Sequence, residues 1–344
     1  METGRMRTSV ANIRDVARKA GVSVATVSRA LNLPTVVNAA TRERVDLAVE
    51  ALGYSPNASA KSLRTARSGR IIVTVPDIAN PFFAELIRGV EDEARRAGYA
   101  VVLADTQYDP VEERRHGEML LRREADGLIF LGHVLPSNLL DMVRAGGGTA
   151  PIVNGCEFSP EIGVPSAHID NASAAREMMY HLYGLGHRRI GVITGSPASP
   201  LSRDRLAGVR EAALAHDSAT DVFEMVGDFS IQSGAAAAAA LLSLRRRPTA
   251  LFCFSDEMAL GALHAAHEAG LKVPGDVSIA GFDDIRFSRF SSPPLTTVHQ
   301  PAEQIGRELV RLLVALLQRT NEVSRTVTLP HEIIVRASTG PCPD

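Results

Sequence analysis

The chain has 344 residues, of which 45% are hydrophobic and 22% charged, and its formal net charge is −2. This length exceeds that of one ordinary domain, and the composition is typical of a soluble globular protein. No apolar run reaches the roughly 18 to 20 residues of a membrane-spanning helix, and the polar start of the chain lacks the apolar core of a signal peptide. We therefore expect a cytoplasmic protein without a membrane segment. A disulfide framework is not expected, because the cysteines are few and far apart: Cys156, Cys253 and Cys342.

The charges are distributed unevenly along the chain. Residues 1–70 contain twelve lysines and arginines but five acidic residues, a net charge of +7, which leaves −9 on the remainder. A small basic segment attached to an acidic body is typical of a nucleic-acid-binding module joined to a regulatory domain. The alternative is a helical surface that is basic without binding DNA.

The first 54 residues predict three short helices. A helix over Ile13–Ala20 ends at a glycine, and Ser23 is a suitable N-cap for a second helix over Val24–Leu31. A third helix is expected to start at Thr41 and to end at Leu52. Two short helices joined by a glycine-containing turn and braced by a third predict a helix-turn-helix domain, rather than a three-helix bundle that binds nothing.

The exposed face of the second predicted helix suits DNA recognition. Small apolar side chains fit the thymine methyl group, arginine fits the guanine edge, and hydroxyl groups fit phosphates. The residues on this face are Val24, Ala25, Thr26, Ser28 and Arg29.

Residues 55–70 predict a linker with a short helix. Pro56 suits a helix start, but the helical pattern lasts only about two turns, too short to be stable alone in water. We expect this segment to be a hinge that folds only on DNA.

From residue 71 onward, apolar runs alternate with helical patterns, which predicts an α/β fold with doubly wound parallel sheets. The run Ala235–Ala240 is read as part of a packed alanine-rich helix. The expected strands are too many for one small sheet, and they lie at Ile71–Val75, Ala100–Ala104, Gly127–Leu131, Pro151–Asn154, His168–Asp170, Ile190–Thr194, Phe223–Val226, Ala250–Phe254 and Val277–Gly281.

Ligands of such sheets bind at the carboxyl ends of the strands, beside helix N-termini. Five segments of the body take that position in the sequence: Asn80–Phe83, Gly195–Arg205, Gly227–Phe229, Ser255–Asp256 and the stretch at Asp283.

The sequence resembles the LacI family of repressors in a series of motifs that occur in order along nearly the whole chain. The motifs are Ile13–Asn32, Tyr54–Asn57 with the spacing Asn57-x-x-Ala60-x-x-Leu63, Pro76–Phe83, Gly186–Gly191, Ser255–Gly261, Gly281–Asp284 and Pro294–Pro301.

The resemblance implies a helix-turn-helix domain (residues 1–54), a hinge (55–70) and an effector-binding, dimer-forming body (71–344). The body is expected to have a periplasmic-binding-protein-like fold with a cleft between two subdomains, one of residues 71–169 and 299–326, the other of 170–298 and 327–344.

The resemblance also implies a homodimer that represses transcription from a palindromic operator in double-stranded DNA. Hinge helices would pair in the minor groove, with Leu63 wedged into the central base step. By position, the DNA contacts would be Ser23, Val24, Ala25, Thr26, Ser28, Arg29, Asn32, Asn57, Ala60, Leu63 and Arg64.

Six residues match effector contacts of the family by position: Phe82, Phe83, Arg205, Phe229, Ser255 and Asp283. An arginine facing an aspartate can hold hydroxyls or ring nitrogens, and phenylalanine faces can cover a sugar or a base. Each residue also has a structural alternative. The two aromatic positions Phe82 and Phe229 could be core, Arg205 a surface charge, Asp283 a turn residue and Ser255 a helix N-cap.

Several stretches resemble the cytidine-repressor subgroup more closely than the sugar-responsive members, namely His168–Asn171, Thr249–Cys253, Ser255–Leu263 and Phe290–Thr297. Most of these residues belong to the scaffold. A nucleoside such as cytidine and a pentose or other sugar therefore both stay open as effectors, as do repression and activation, and induction and co-repression.

Two other classes of protein are disfavoured. A periplasmic sugar-binding protein would carry a signal peptide and no basic helix-turn-helix segment. An enzyme is disfavoured because the chain has no P-loop, no G-x-S-x-G, no H-E-x-x-H and no Cys/His metal spacing. We therefore expect no catalytic residues, no metal site and no cofactor, and we interpret His187, which precedes a strand, as structural.

Overall fold

The computed structural model describes residues 11–55, 67–146, 149–216, 221–319 and 326–343. The chain divides after Ser68 into two units. In the first unit, α1, α2 and α3 cover Ile13–Ala20, Val24–Asn32 and Ala39–Leu52, and a short 3-10 helix covers Pro34–Val36.

The twelve strands and eight helices described in the second unit alternate along most of it. Strands β1 to β12 are Arg70–Val75, Ala100–Asp105, Gly127–Phe130, Ile152–Gly155, Ser166–Ile169, Arg189–Thr194, Asp221–Val226, Ala250–Cys253, Ser278–Asp283, Thr296–His299, Thr326–Leu329 and Glu332–Ile334. Helices α4 to α11 are Pro81–Arg96, Pro110–Leu121, Ser137–Ala145, Asn171–Gly184, Pro200–His216, Ile231–Leu242, Asp256–Glu268 and Ala302–Gln318. Within the described ranges, no helix is long and apolar enough to cross a bilayer.

Side-chain caps fix the ends of the helices in the first unit. Asn12 accepts from the backbone amides of the first turn of α1, and Gly21, at φ 66°, ends that helix. Ser23 caps α2 by accepting from Thr26 N–H. Asn38 accepts from Thr41 N–H, so α3 begins at Ala39, two residues before the predicted start, because the cap precedes the residue that it binds.

The body contains two six-stranded sheets, in the orders β11-β5-β4-β3-β1-β2 and β12-β10-β9-β8-β6-β7. Neighbouring strands are parallel except β10 and β12, which are antiparallel. We call the parts built on these sheets the N-subdomain and the C-subdomain. The predicted α/β class with two doubly wound sheets is confirmed.

The chain crosses between the sheets after β5, after β10 and after β11. At the boundary expected near residue 327, β11 pairs with β5 in the N-subdomain, with Thr326 beside Ser166 and Leu329 beside Ile169. The N-subdomain therefore extends through Leu329. Pairing along the whole of β11 covers hydrogen-bonding groups of β5 that would otherwise lie at an open sheet edge.

Glycines allow pairs of helices to approach closely. A Cβ atom on Gly89 of α4 would lie 2.0 Å from the Glu303 carbonyl oxygen of α11, and one on Gly306 would lie 2.2 Å from the Leu86 carbonyl oxygen. In the C-subdomain, a Cβ atom on Gly208 of α8 would lie 2.0 Å from the Ala172 carbonyl oxygen of α7. Close backbone contact at a glycine thus positions one helix pair in each subdomain.

We predict that Gly89→Ala destabilises the body, because the added methyl meets backbone, which cannot move aside as a flexible side chain can. Overpacking of this kind typically costs about 1–3 kcal/mol. The matched control is Gly184→Ala, since Gly184 lies in α7 and a Cβ atom added there would have nothing within 4 Å. Urea unfolding of both variants checks this, and equal midpoints would contradict it.

Candidate functional site

A cleft lies between the two subdomains, at the carboxyl ends of their strands. All six residues predicted to contact an effector line it. The full lining is Asn80, Phe82, Phe83, Tyr108, Cys156, Glu157, Leu201, Arg205, Phe229, Ser255, Asp283 and Gln300.

Arg205 is the buried cation of the cleft. It lies in α8 but is only 3% exposed, so it is not a surface helix charge. Its Nε donates to Asn171 Oδ1 at 2.8 Å, and its Nη1 donates to the Phe254 carbonyl. Its guanidinium carbon lies 3.5 Å from the centre of the Phe282 ring. Burial lowers the pKa of Arg205 to about 10, so the group still carries its charge at pH 7.

Asp283 lies opposite that cation, at the end of β9. Its Oδ1 is 4.0 Å from Arg205 Nη2 and accepts from Gln300 Nε2 at 2.7 Å. Burial raises the pKa of Asp283 to about 7, against the charge of Arg205 and the hydrogen bond from Gln300, which both lower it. Because both contacts use Oδ1, Oδ2 has no hydrogen-bond partner among the described residues and can accept from a ligand.

Aromatic side chains form much of the rest of the lining. Asn80 caps α4 by accepting from Phe82 N–H at 3.0 Å, which places Phe82 and Phe83 in the first turn, with their rings edge to face at 5.5 Å. Both are more than 90% buried, so they belong to the core as well as to the lining. Phe229 is partly buried, and its ring lies over Gly195, where a Cβ atom would be 2.0 Å from Phe229 Cζ.

Four lining residues other than glycine have left-handed backbone. The φ angles are 56° at Tyr108, 61° at Cys156, 70° at Phe229 and 116° at Asp283. Each lies at or just after the carboxyl end of a strand. Such conformations are disfavoured for residues with a Cβ and tend to cluster where a ligand site must be shaped.

Asp256 positions the segment that carries Asp283. Its carboxylate accepts from Ile285 N–H at 2.9 Å, from the Ser288 hydroxyl at 2.6 Å and from the Thr297 hydroxyl at 2.5 Å. Ser255, one residue earlier, caps α10 by accepting from Met258 N–H at 3.2 Å, so its predicted alternative role as an N-cap is real, although it also lines the cleft.

Sequence reasoning missed four lining residues: Tyr108, Cys156, Glu157 and Gln300. All four follow directly or closely on the carboxyl end of a strand, so the rule that selected Asp283 could also have found them. Asn80 and Leu201 lie within the predicted ligand segments but were not selected as contacts. His187 lies elsewhere. It is fully buried, with its ring nitrogens about 3.0 Å from the hydroxyls of Thr249 and Ser278, which is a structural role.

In the first unit, α2 separates a buried face from an exposed one. Val27 and Ala30 are buried, whereas Val24 is 41% exposed and Ala25 and Arg29 are exposed. Thr26 and Ser28 are half-buried, and the Thr26 hydroxyl lies 2.9 Å from that of Ser23. Of the remaining predicted DNA contacts, Asn32 lies in α2, but its side chain is outside the described part of the structure. The others lie outside the described residues: Asn57, Ala60, Leu63 and Arg64.

We predict that the free energy of unfolding falls as pH rises from about 5 to 8. Burial raises the pKa of Asp256 to about 8, so the folded chain binds more protons at this site than the unfolded chain, whose aspartates titrate near 3.8. The linkage slope is at most ~1.4 kcal/mol per pH unit for each group. Asp256→Asn should remove part of this slope, whereas Asp141→Asn, an exposed control, should not. Urea unfolding across this pH range measures it, and parallel wild-type and Asp256→Asn curves would refute it.

The chain is similar to known proteins over nearly its whole length. Residues 12–57 match the family model "Bacterial regulatory proteins, lacI family", and residues 179–339 match "Periplasmic binding protein-like domain". The chain is 41% identical over 336 residues to the HTH-type transcriptional repressor CytR of Escherichia coli strain K12, covering 97% of this chain and 98% of the relative. It is 34% identical over 331 residues to the HTH-type transcriptional repressor PurR of Photobacterium profundum, covering 96% and 98%.

A solved structure of the lac repressor dimer bound to operator and the anti-inducer ONPF is also similar. Its TM-score is 0.86 at 30% identity, over 96% of this chain and 100% of that chain. The relatives thus share both the helix-turn-helix unit and the two-subdomain body. The expected family resemblance is confirmed, and the chain belongs to the LacI family of bacterial regulatory proteins.

Proposed function

We propose that this chain represses transcription in the cytoplasm, as a homodimer on a palindromic operator, and that a nucleoside in the cleft sets its affinity for DNA. The observation that carries the effector proposal is the buried pair of Arg205 and Asp283, which shares one cleft with four aromatic side chains. We propose that the cleft binds its ligand without transforming it, because the polar groups there are those of a recognition site.

The DNA part of the proposal is supported by α2. Ser23 caps the helix, and its exposed face presents the apolar side chains Val24 and Ala25 together with the guanidinium of Arg29. These groups match the chemistry of base edges in the major groove. The hinge with Leu63 completes the proposed DNA contacts and lies outside the described residues.

The division of the cleft into polar and aromatic surfaces supports a nucleoside as the effector. Arg205, Asp283 and Gln300 offer donors and acceptors suited to ribose hydroxyls. Phe82, Phe83, Tyr108 and Phe229 supply faces on which a base can stack. The resemblance to the cytidine-repressor subgroup favours a pyrimidine nucleoside, and a free pentose is the second candidate because it would use the same polar groups.

Control of DNA binding follows from linkage. A ligand that contacts both subdomains binds one closure angle better than the other. It therefore shifts the equilibrium between two states of the dimer that differ in operator affinity, and the size of the shift equals the difference in ligand binding free energy between these states. The sign of the coupling decides between an inducer and a co-repressor.

For DNA binding, we predict that Arg29→Ala weakens operator affinity by about 1–3 kcal/mol, roughly 5- to 150-fold, through loss of a base contact. Nonspecific, salt-dependent binding should change far less. Arg246→Ala, which removes an exposed arginine of the body, is the control. Fluorescence anisotropy with operator and random duplexes measures both affinities, and equal losses on the two duplexes would rule out a base-reading role.

For the effector, we predict that a nucleoside raises the melting temperature of the chain, since a ligand at a hundred times its Kd adds about 2.7 kcal/mol to the stability of the folded state. Asp283→Ala should abolish the shift and the effector response while leaving operator binding in place, and Asp141→Ala should keep both. A panel of nucleosides, nucleobases, pentoses and hexoses makes the test. A shift with sugars alone would discard the nucleoside, and a shift retained by Asp283→Ala would remove that residue from the site.

A further inference from the structure

Glu157 is a buried acidic residue of the cleft and is not a member of the Arg205–Asp283 pair. It follows β4 and is only 3% exposed. Because it lines the cleft, a ligand bound there can reach it. Among the described residues, no hydrogen bond or ion pair joins it to Arg205 or Asp283. The cleft therefore has a second, separate acidic position on its N-subdomain wall.

The backbone around Glu157 is held by Asn154. The Asn154 amide donates to the carbonyls of Phe130 and Gly132 at 3.0 and 2.9 Å and accepts from Ser159 N–H at 3.1 Å. Cys156 adopts left-handed backbone at φ 61°, which turns the chain between β4 and Glu157. The carboxylate is thus presented by a fixed turn and not by a loose loop.

Two side chains hold one of its oxygens, Oε2. The Ser199 hydroxyl, from the C-subdomain, donates to it at 2.7 Å, and His133 Nδ1, from the N-subdomain, lies 3.4 Å away. The hydrogen bond with Glu157 raises the pKa of His133, against burial, which lowers it. These two contacts compensate for the burial of the Glu157 side chain.

The other oxygen, Oε1, has no hydrogen-bond partner among the described residues. It is not fully enclosed by protein atoms, so a ligand in the cleft can reach it. An ionised carboxylate oxygen only accepts hydrogen bonds. A ligand group placed against Oε1 must therefore donate, and a carbonyl oxygen there would leave two acceptors facing each other in a desolvated site.

The aromatic side chains on which a base could stack line the same cleft as this carboxylate. Tyr108 lines the same cleft as Glu157, and burial and then the charge of Glu157 raise the pKa of its hydroxyl. The Phe229 ring lies against Gly195 and close to Ser202, on the same segment as Ser199. Glu157 and these rings thus line one cleft, in which Gln300 and Arg205 contact Asp283.

We propose that Glu157 is a specificity-determining residue, which selects nucleosides that present an exocyclic amino group over those that present a carbonyl oxygen at the same position. Ser199 and His133 are positioning residues, because they hold Oε2 and leave Oε1 to the ligand. This inference rests on the proposed nucleoside effector and adds the group that distinguishes one base from another.

The test compares cytidine with uridine by isothermal titration calorimetry on the full chain. A hydrogen bond to a charged group contributes about 1.5–3 kcal/mol, so wild type should bind cytidine roughly 10- to 100-fold more tightly than uridine. Glu157→Gln keeps the shape but supplies an amide that both donates and accepts, so the preference should fall to a few-fold. Glu161→Gln, an exposed glutamate in the same loop, should keep the full preference.

A second variant covers the case in which Glu157→Gln fails to fold. Glu157→Asp keeps the charge but withdraws the oxygen, and it should lose cytidine affinity and most of the preference. Equal affinity of wild type for the two nucleosides, or a full preference retained in either folded variant, would overturn the role of Glu157 while leaving a nucleoside effector in place. A wild-type chain that binds neither nucleoside, but binds a sugar, would overturn the proposed effector and this inference together.

Discussion

The burial of the Arg205 guanidinium is the constraint on which the C-subdomain wall of the cleft depends. A buried charge is strongly destabilising unless its neighbours compensate it, and here they come from several elements. Asn171 lies at the start of α7, the Phe254 carbonyl just after β8, and Phe282 and Asp283 in β9. Moving any one of these elements would remove one of the partners of the guanidinium. The charge therefore fixes their mutual positions, and the cleft takes its shape from that arrangement.

Asp256 extends this organisation to the next layer. It binds the segment at Ile285 and Ser288 and the strand at Thr297, and these contacts hold the turn in which Asp283 has left-handed backbone. A residue with a Cβ adopts such a conformation only where the surrounding structure compensates for it. The ligand-facing Asp283 side chain thus owes its position to a second carboxyl group, that of Asp256, which does not line the cleft.

Much of the fold could be predicted from the sequence because its signals are local. Alternating apolar runs and helical patterns located the strands, and cap residues such as Ser23 located helix ends. The start of α3 was missed although Asn38 is an N-cap residue that the sequence shows. The boundary near residue 327 could not be predicted, because the alternating pattern of Thr326–Leu329 would suit an edge strand of either sheet.

The candidate site was predictable in part for the same reason. The carboxyl ends of strands are visible in a sequence, but the direction of a side chain on a helix depends on tertiary packing. Arg203, Arg205 and Arg210 all lie in α8, and only packing shows that Arg205 is the buried one. Glu157 follows the carboxyl end of β4, but a glutamate is usually exposed, and its buried contact with Ser199 comes from the other subdomain.

The three crossings between the sheets also bear on how the chain folds during synthesis. The N-subdomain needs α11 and β11, and the C-subdomain needs β12, so both are incomplete until nearly the whole chain has left the ribosome. Domains that are contiguous in sequence can fold one after another, whereas these two must finish almost together. A premature stop after β10 would therefore damage both subdomains at once, and it would expose the apolar faces of two unfinished sheets to chaperones and proteases.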